Sequence, residues 1–293
     1  MESPPVDAPI VIASLLILAV LIGSAVLWIR HVQRPHDLIQ EDRGVASWAI
    51  GWVNFGIFIS AMIIAVFMAQ QIGLALIVDP ESSVPELTPW LAVASVILLQ
   101  GPMIAVFYLA RRFYPGHYAD RLSQVKYTLW ESFKKAAPLF IMFLPVVWIA
   151  TLIWSTLLSA LKSAGLVEEF APQELVTLFQ GGGDWPAIVI LVLMAVIVAP
   201  IVEEIIFRGC IYRFLKSQTT LLGAQVISGS FFAMLHGNLL SFVPLVIVGV
   251  LLARVYEKTG NLAVAIWFHA FFNAFSLTML FITGMSENLA PSY

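Results

Sequence analysis

Pro186 to Arg208 reads PAIVILVLMAVIVAPIVEEIIFR: seventeen uncharged, almost wholly apolar residues, then two adjacent glutamates and, four positions after the second, an arginine. A run of this length suits the hydrocarbon core of a bilayer, whereas a helix on a soluble core needs only one apolar face. Working outward, apolar stretches of about 20 residues recur along the chain. They are Ile10–Ile29, Trp48–Val78, Trp90–Ala110, Ala137–Ala160, Pro186–Ile206, Leu221–Leu240, Phe242–Ala253 and Leu262–Thr283. The seventh has the shortest apolar core. The pattern predicts an all-α polytopic membrane bundle of about eight transmembrane helices.

Composition points the same way. Of 293 residues 60% are hydrophobic and only 11% charged, where a soluble domain is about a quarter charged. The net charge of −3 leaves no basic field to hold nucleic acid. A single cysteine excludes a disulfide framework and any zinc site built from several thiolates.

Charge bias orients the spans. The leader Met1–Pro9 carries Glu2 and Asp7 but no Lys or Arg, so the first span is expected to stay as an anchor and not be cleaved. With the N-terminus outside and the spans alternating, the inner loops collect every basic residue except Lys162. That tally needs an even number of spans. It puts both termini outside the cytoplasm, in what is expected to be a prokaryotic plasma membrane. In the second inner loop Leu122, Val125, Leu129 and Phe133 recur at helical spacing among Arg121, Lys126 and Lys134. This fits either a basic amphipathic helix on the inner leaflet or an extension of the fourth span. The outer loop Lys162–Trp185 is acidic and ends in Gly181, Gly182 and Gly183.

Ionisable residues at membrane depth are costly and mark functional sites. Nearly all lie late in the chain: Glu203, Glu204 and Arg208, then His236, then His269 with Asn273. Residues 1–185 therefore read as a scaffold of about four spans and residues 186–293 as a four-span core, within one integral membrane domain. Neighbours on a helix differ by about 100°, so Glu203 and Glu204 are not expected to face one site. Arg208, four residues after Glu204, is placed to pair with it and leave Glu203 facing an interior cavity. Pro200 is expected to bend the helix one turn earlier. His269 and Asn273 share a helix face. Taken singly, these motifs also fit snorkelling charges, an inter-helix hydrogen bond and a helix-end histidine. Together they supply what amide hydrolysis needs, a carboxylate and an imidazole to activate water and donors for an oxyanion.

Glu-Glu-x-x-x-Arg, Phe-x-x-x-His and His-x-x-x-Asn, in this order, resemble the signature of the CAAX prenyl protease and bacteriocin-processing (Abi) family of intramembrane endopeptidases. The motifs stand at Glu203–Arg208, Phe232–His236 and His269–Asn273, within about Pro186–Phe275. The resemblance implies that Glu203 is the base, assisted by His236, and that His269 and Asn273 form the oxyanion hole. Glu204 and Arg208 would support the site, and Phe232 would orient His236. The substrate would be a membrane-associated peptide or C-terminal tail. No cofactor is favoured; zinc or another divalent metal is the alternative, but it would occupy the carboxylate needed as base. A proton-coupled transporter or a silent membrane scaffold are the competing functions. Straight helices running flush from face to face put His236 near the outer end of its span, away from Glu203. The sixth helix must therefore begin well inside the cytoplasm, or helices must tilt or break.

Overall fold

Long apolar sequences with few internal glycines satisfy their own backbone hydrogen bonds as helices, the form a lipid environment demands. The computed structural model describes residues 8–33, 44–77, 88–118, 121–166 and 184–289, with the side chains of 285–289 excepted. The leader residues Glu2 and Asp7, the inner-loop residues Arg34, His36 and Arg43, and Gly181–Gly183 lie outside the described residues.

Eight principal helices are present among the described residues. They are α1 (Ala8–Gln33), α2 (Trp52–Ile77), α3 (Pro89–Phe113), α5 (Leu129–Ser163), α6 (Trp185–Gln218), α7 (Leu221–Met234), α8 (Phe242–Thr259) and α9 (Leu262–Leu289). A single turn, α4 (Pro115–Tyr118), follows α3. Six of the eight are long and apolar enough to cross a membrane; α7 is shorter, and α8 carries Arg254, Glu257 and Lys258. Large apolar side chains such as Val53, Phe67 and Leu76 stay exposed on the outside of the bundle, as a lipid-facing surface requires. The chain is a multi-pass membrane protein.

α5, α8 and α9 pack together with α1, while α2 and α3 form a pair against α6. The principal core joins Ala136, Phe140 and Leu144 of α5 to Val248, Leu252 and Tyr256 of α8 and to Val264 and Phe268 of α9. α5 starts abruptly, because Thr128 accepts from the Glu131 backbone N–H while the Glu131 carboxylate accepts from that of Thr128. This reciprocal cap fixes the boundary. Residues 121–128 are consequently not an amphipathic helix, and Leu129 and Phe133 belong to the inward extension of the fourth span.

Two features of α6 and α7 set the site. α6 continues twelve residues beyond the apolar run expected to end at Ile206, and α7 starts after only two further residues. The fourteen residues of α7 span about 21 Å, short of the ~30 Å hydrocarbon core. Leu221–Leu240 is thus not one full-length span. The helix ends at Met234, and a turn follows in which Gly237 takes a left-handed φ of 60°. Glu203 lies fifteen residues before the end of α6, and His236 lies fifteen after the start of α7. In an antiparallel pair, equal distances from the connecting turn mean similar depth. The depth conflict in the sequence disappears, because the sixth helix begins further in and stops early.

Candidate active site

The backbone of α6 is irregular where the site forms. Met194–Val198 and Ile205–Tyr212 are π-helical, a widening often found at functional positions. In the first widened turn the Ala199 N–H bonds the Met194 carbonyl, five residues back. The same register would pair Ala195 with Pro200, which has no N–H. Asn273 fills that position, donating from Nδ2 to the Ala195 carbonyl at 2.8 Å. Pro200 thus frees a carbonyl that ties α9 to α6. One of the two N–H groups of Asn273 is committed to this bond, leaving the other for a ligand.

Glu204 and Arg208 are both fully buried, with Arg208 Nη1 donating to Glu204 Oε1 at 2.8 Å. The expected ion pair is therefore formed. Arg208 Nη2 also donates to the Gly249 carbonyl of α8 at 3.1 Å, and the guanidinium lies 4.7 Å from the centre of the Phe232 ring. Glu204 Oε1 accepts a second hydrogen bond, from His269 Nδ1 at 2.9 Å.

The expectation that the two glutamates address different sites needs correction. Glu203 Oε2 lies 3.8 Å from Nε2 of the same imidazole. The side chains do diverge, but the two nitrogens of a histidine face in different directions. His269 therefore fits between the two carboxylates, one at each nitrogen. Because a carboxylate can only accept, Nδ1 carries a proton, and Nε2 can donate only when the ring holds both protons.

Phe232 links the two histidines. Its ring centre is 4.7 Å from that of His236 and 5.5 Å, edge-on, from that of His269. Phe207 packs edge-on against it at 5.3 Å. His236 Nδ1 donates to the Phe232 carbonyl one turn back at 2.8 Å, which leaves Nε2 as its acceptor nitrogen. Glu203, Glu204, Arg208, Phe232 and His269 are thus joined by contact, His236 enters through Phe232, and Asn273 sits one turn along α9 from His269.

Residues 185–275, which contain all seven motif positions, match the family model described as type II CAAX prenyl endopeptidase Rce1-like. The match over this segment, about a third of the chain, supports the resemblance to the CAAX prenyl protease and bacteriocin-processing family. Among curated relatives of this chain, the "Putative membrane peptidase YdiL" of Bacillus subtilis (strain 168) is 32% identical over 93 residues, 32% of this chain and 38% of that protein. An uncharacterised protein of Mycoplasma capricolum is 27% identical over 165 residues, 54% of this chain and 48% of its own length. The chain therefore spans less than half the length of these relatives. No solved structure matches the chain.

The family segment covers α6 to the middle of α9, but one neighbour of Glu203 comes from outside it. Gln100 on α3 is buried, and its Nε2 donates to Glu203 Oε1 at 3.4 Å. Motif reading passes over it. Its signal was an isolated amide in the apolar run Ile97-Leu98-Leu99-Gln100-Gly101-Pro102.

Proposed function

We propose that the chain is an intramembrane endopeptidase that cleaves membrane-associated peptides or C-terminal tails, with Glu203 activating the attacking water. The observation that carries this reading is the inequality of two adjacent carboxylates at one imidazole, Glu204 fully buried and Glu203 partly exposed. Each has an Oε2 with no hydrogen-bond partner, but Glu204 is neutralised by Arg208 through Oε1, whereas Glu203 has only the Gln100 amide at its Oε1. A carboxylate held in this state is suited to take a proton from water as the oxygen attacks the scissile carbonyl. His236, through its acceptor nitrogen, is the assisting base. His269 in its doubly protonated form and the second N–H of Asn273 would donate to the oxyanion. The proton taken by Glu203 then passes to the leaving amine.

The family match over residues 185–275 supports peptide hydrolysis as the reaction class. The bias of basic residues toward the inner loops supports both termini lying outside the cytoplasm; a prokaryotic plasma membrane and substrate entry from the bilayer are part of the proposal. The metal alternative fits the side chains less well. A three-ligand catalytic zinc site needs a third donor beside Glu203 and His269, and no group of three or more His, Cys, Asp or Glu is so arranged among the described residues. No step is routed through a metal.

The test is cleavage of a membrane-peptide library by the purified protein in detergent. Wild type is expected to cut with or without chelator, and Glu203→Gln to show no cleavage while keeping its thermal midpoint. Chelator-sensitive cleavage restored by zinc would replace the metal-free route. Full cleavage by Glu203→Gln would overturn the assignment of the base.

A further inference from the structure

We infer that Gln100 is a positioning residue for Glu203, so that α3, outside the family segment, completes the active site. The inference rests on the role proposed for Glu203. A carboxylate has two oxygens and rotates freely unless one is held. Gln100 Nε2 donates to Oε1, and Oε2 is the oxygen turned to His269 Nε2. The orientation of the amide follows from chemistry, since an ionised carboxylate only accepts and the NH2 group must face it. That orientation leaves Gln100 Oε1 buried with no hydrogen-bond partner, on a residue only 5% exposed. An orphaned carbonyl in the middle of a membrane helix is destabilising. A residue kept for packing alone has no need of it, and methionine would fill the same volume without that cost.

A structural role and a positioning role therefore predict opposite results for Gln100→Met. Positioning predicts a fall in kcat of about tenfold to a hundredfold, the scale of misplacing a reacting group. KM should stay within about threefold and the thermal midpoint should hold or rise, as expected when an unpaired buried carbonyl is removed. A fall in midpoint that parallels the loss of activity, or an unchanged kcat, would overturn the inference. Glu203→Gln is assayed beside it. If cleavage survives that change, the reading of Glu203 itself fails and Gln100 has no base to position. If cleavage is lost there and Gln100→Met remains at wild-type rate, only the present inference fails. A readout independent of activity comes from Glu203→Ala, Gln100→Met and the double variant. Contact predicts midpoint shifts that do not add, and additive shifts would refute it.

Discussion

Glu204 shows how little separates a supporting carboxylate from a reacting one. Its Oε1 takes hydrogen bonds from Arg208 and His269, in a place where neither the glutamate nor the arginine has any exposure. Glu204→Ala removes the counter-charge and leaves a buried guanidinium facing the Gly249 carbonyl and the Phe207 and Phe232 rings. Breaking a buried pair from one side costs about 3–5 kcal/mol. Thermal unfolding in detergent should therefore show a large drop in midpoint for Glu204→Ala, against little change for Glu203→Gln. A stable but inactive Glu204→Ala, beside an active Glu203→Gln, would reverse the roles given to the two residues. The pairing of Glu204 with Arg208 was legible in the sequence because helical spacing i,i+4 is a local rule. The straddled imidazole was not, since it depends on where α9 docks. Gln100 was legible only as an oddity: its partner is 103 positions away, and nothing local ties the two.

At the scale of elements, the α7–α8 hairpin delivers His236, and two glycines hold it closed. A Cβ built on Gly249 would lie 2.5 Å from the Gly229 Cα, and one on Gly229 would lie 2.9 Å from the Val246 carbonyl oxygen. Both neighbours are backbone, so neither can move aside as a side chain can. Small residues at such crossings let membrane helices approach closely. Gly249→Val should push α8 from α7, break the bond from Arg208 to the Gly249 carbonyl, and shift His236. Overpacking of this kind costs at least about 1–3 kcal/mol, so both midpoint and cleavage rate should fall. Gly56→Ala on α2 is the control, because nothing lies within 4 Å of its added Cβ; its midpoint should hold or rise slightly. Equal behaviour of the two variants would show that the close approach is not a constraint. Hydropathy located α7 but not its end. Leu239 and Leu240 prolong the apolar run past the last helical residue, and only the Gly237-Asn238 pair hinted at the break. The widened turns of α6 had a partial signal in Pro200, which sequence reading took for a simple bend.

Across the whole molecule, one group of polar ties outside the active site fastens non-helical segments to the C-terminal half. Lys216 of α6 pairs with Glu257 of α8 and also donates to the Val45 carbonyl. Glu257 accepts from the Tyr212 hydroxyl at 2.7 Å and from the Val45 N–H at 3.3 Å. Arg213 donates to the carbonyls of Ala46 and Arg121, and the Trp48 N–H returns a bond to the Arg213 carbonyl. The non-helical stretch before α2 is thereby held to the same helix that carries Glu203 and Glu204. Hydropathy could not show this, because each tie joins residues remote in sequence at the polar end of the bundle. Glu257→Ala removes the acceptor for a lysine, a tyrosine and a backbone N–H together. It should lower the midpoint, with a destabilisation below the roughly 3–5 kcal/mol of a fully buried pair because Lys216 keeps some exposure, and speed proteolysis within residues 44–51. Glu257→Gln keeps an acceptor for Tyr212 and Val45 and loses only the charge, so its effect should be smaller. If Glu257→Ala unfolds and resists protease as wild type does, the tie contributes nothing and the α8 core alone holds α6 in place.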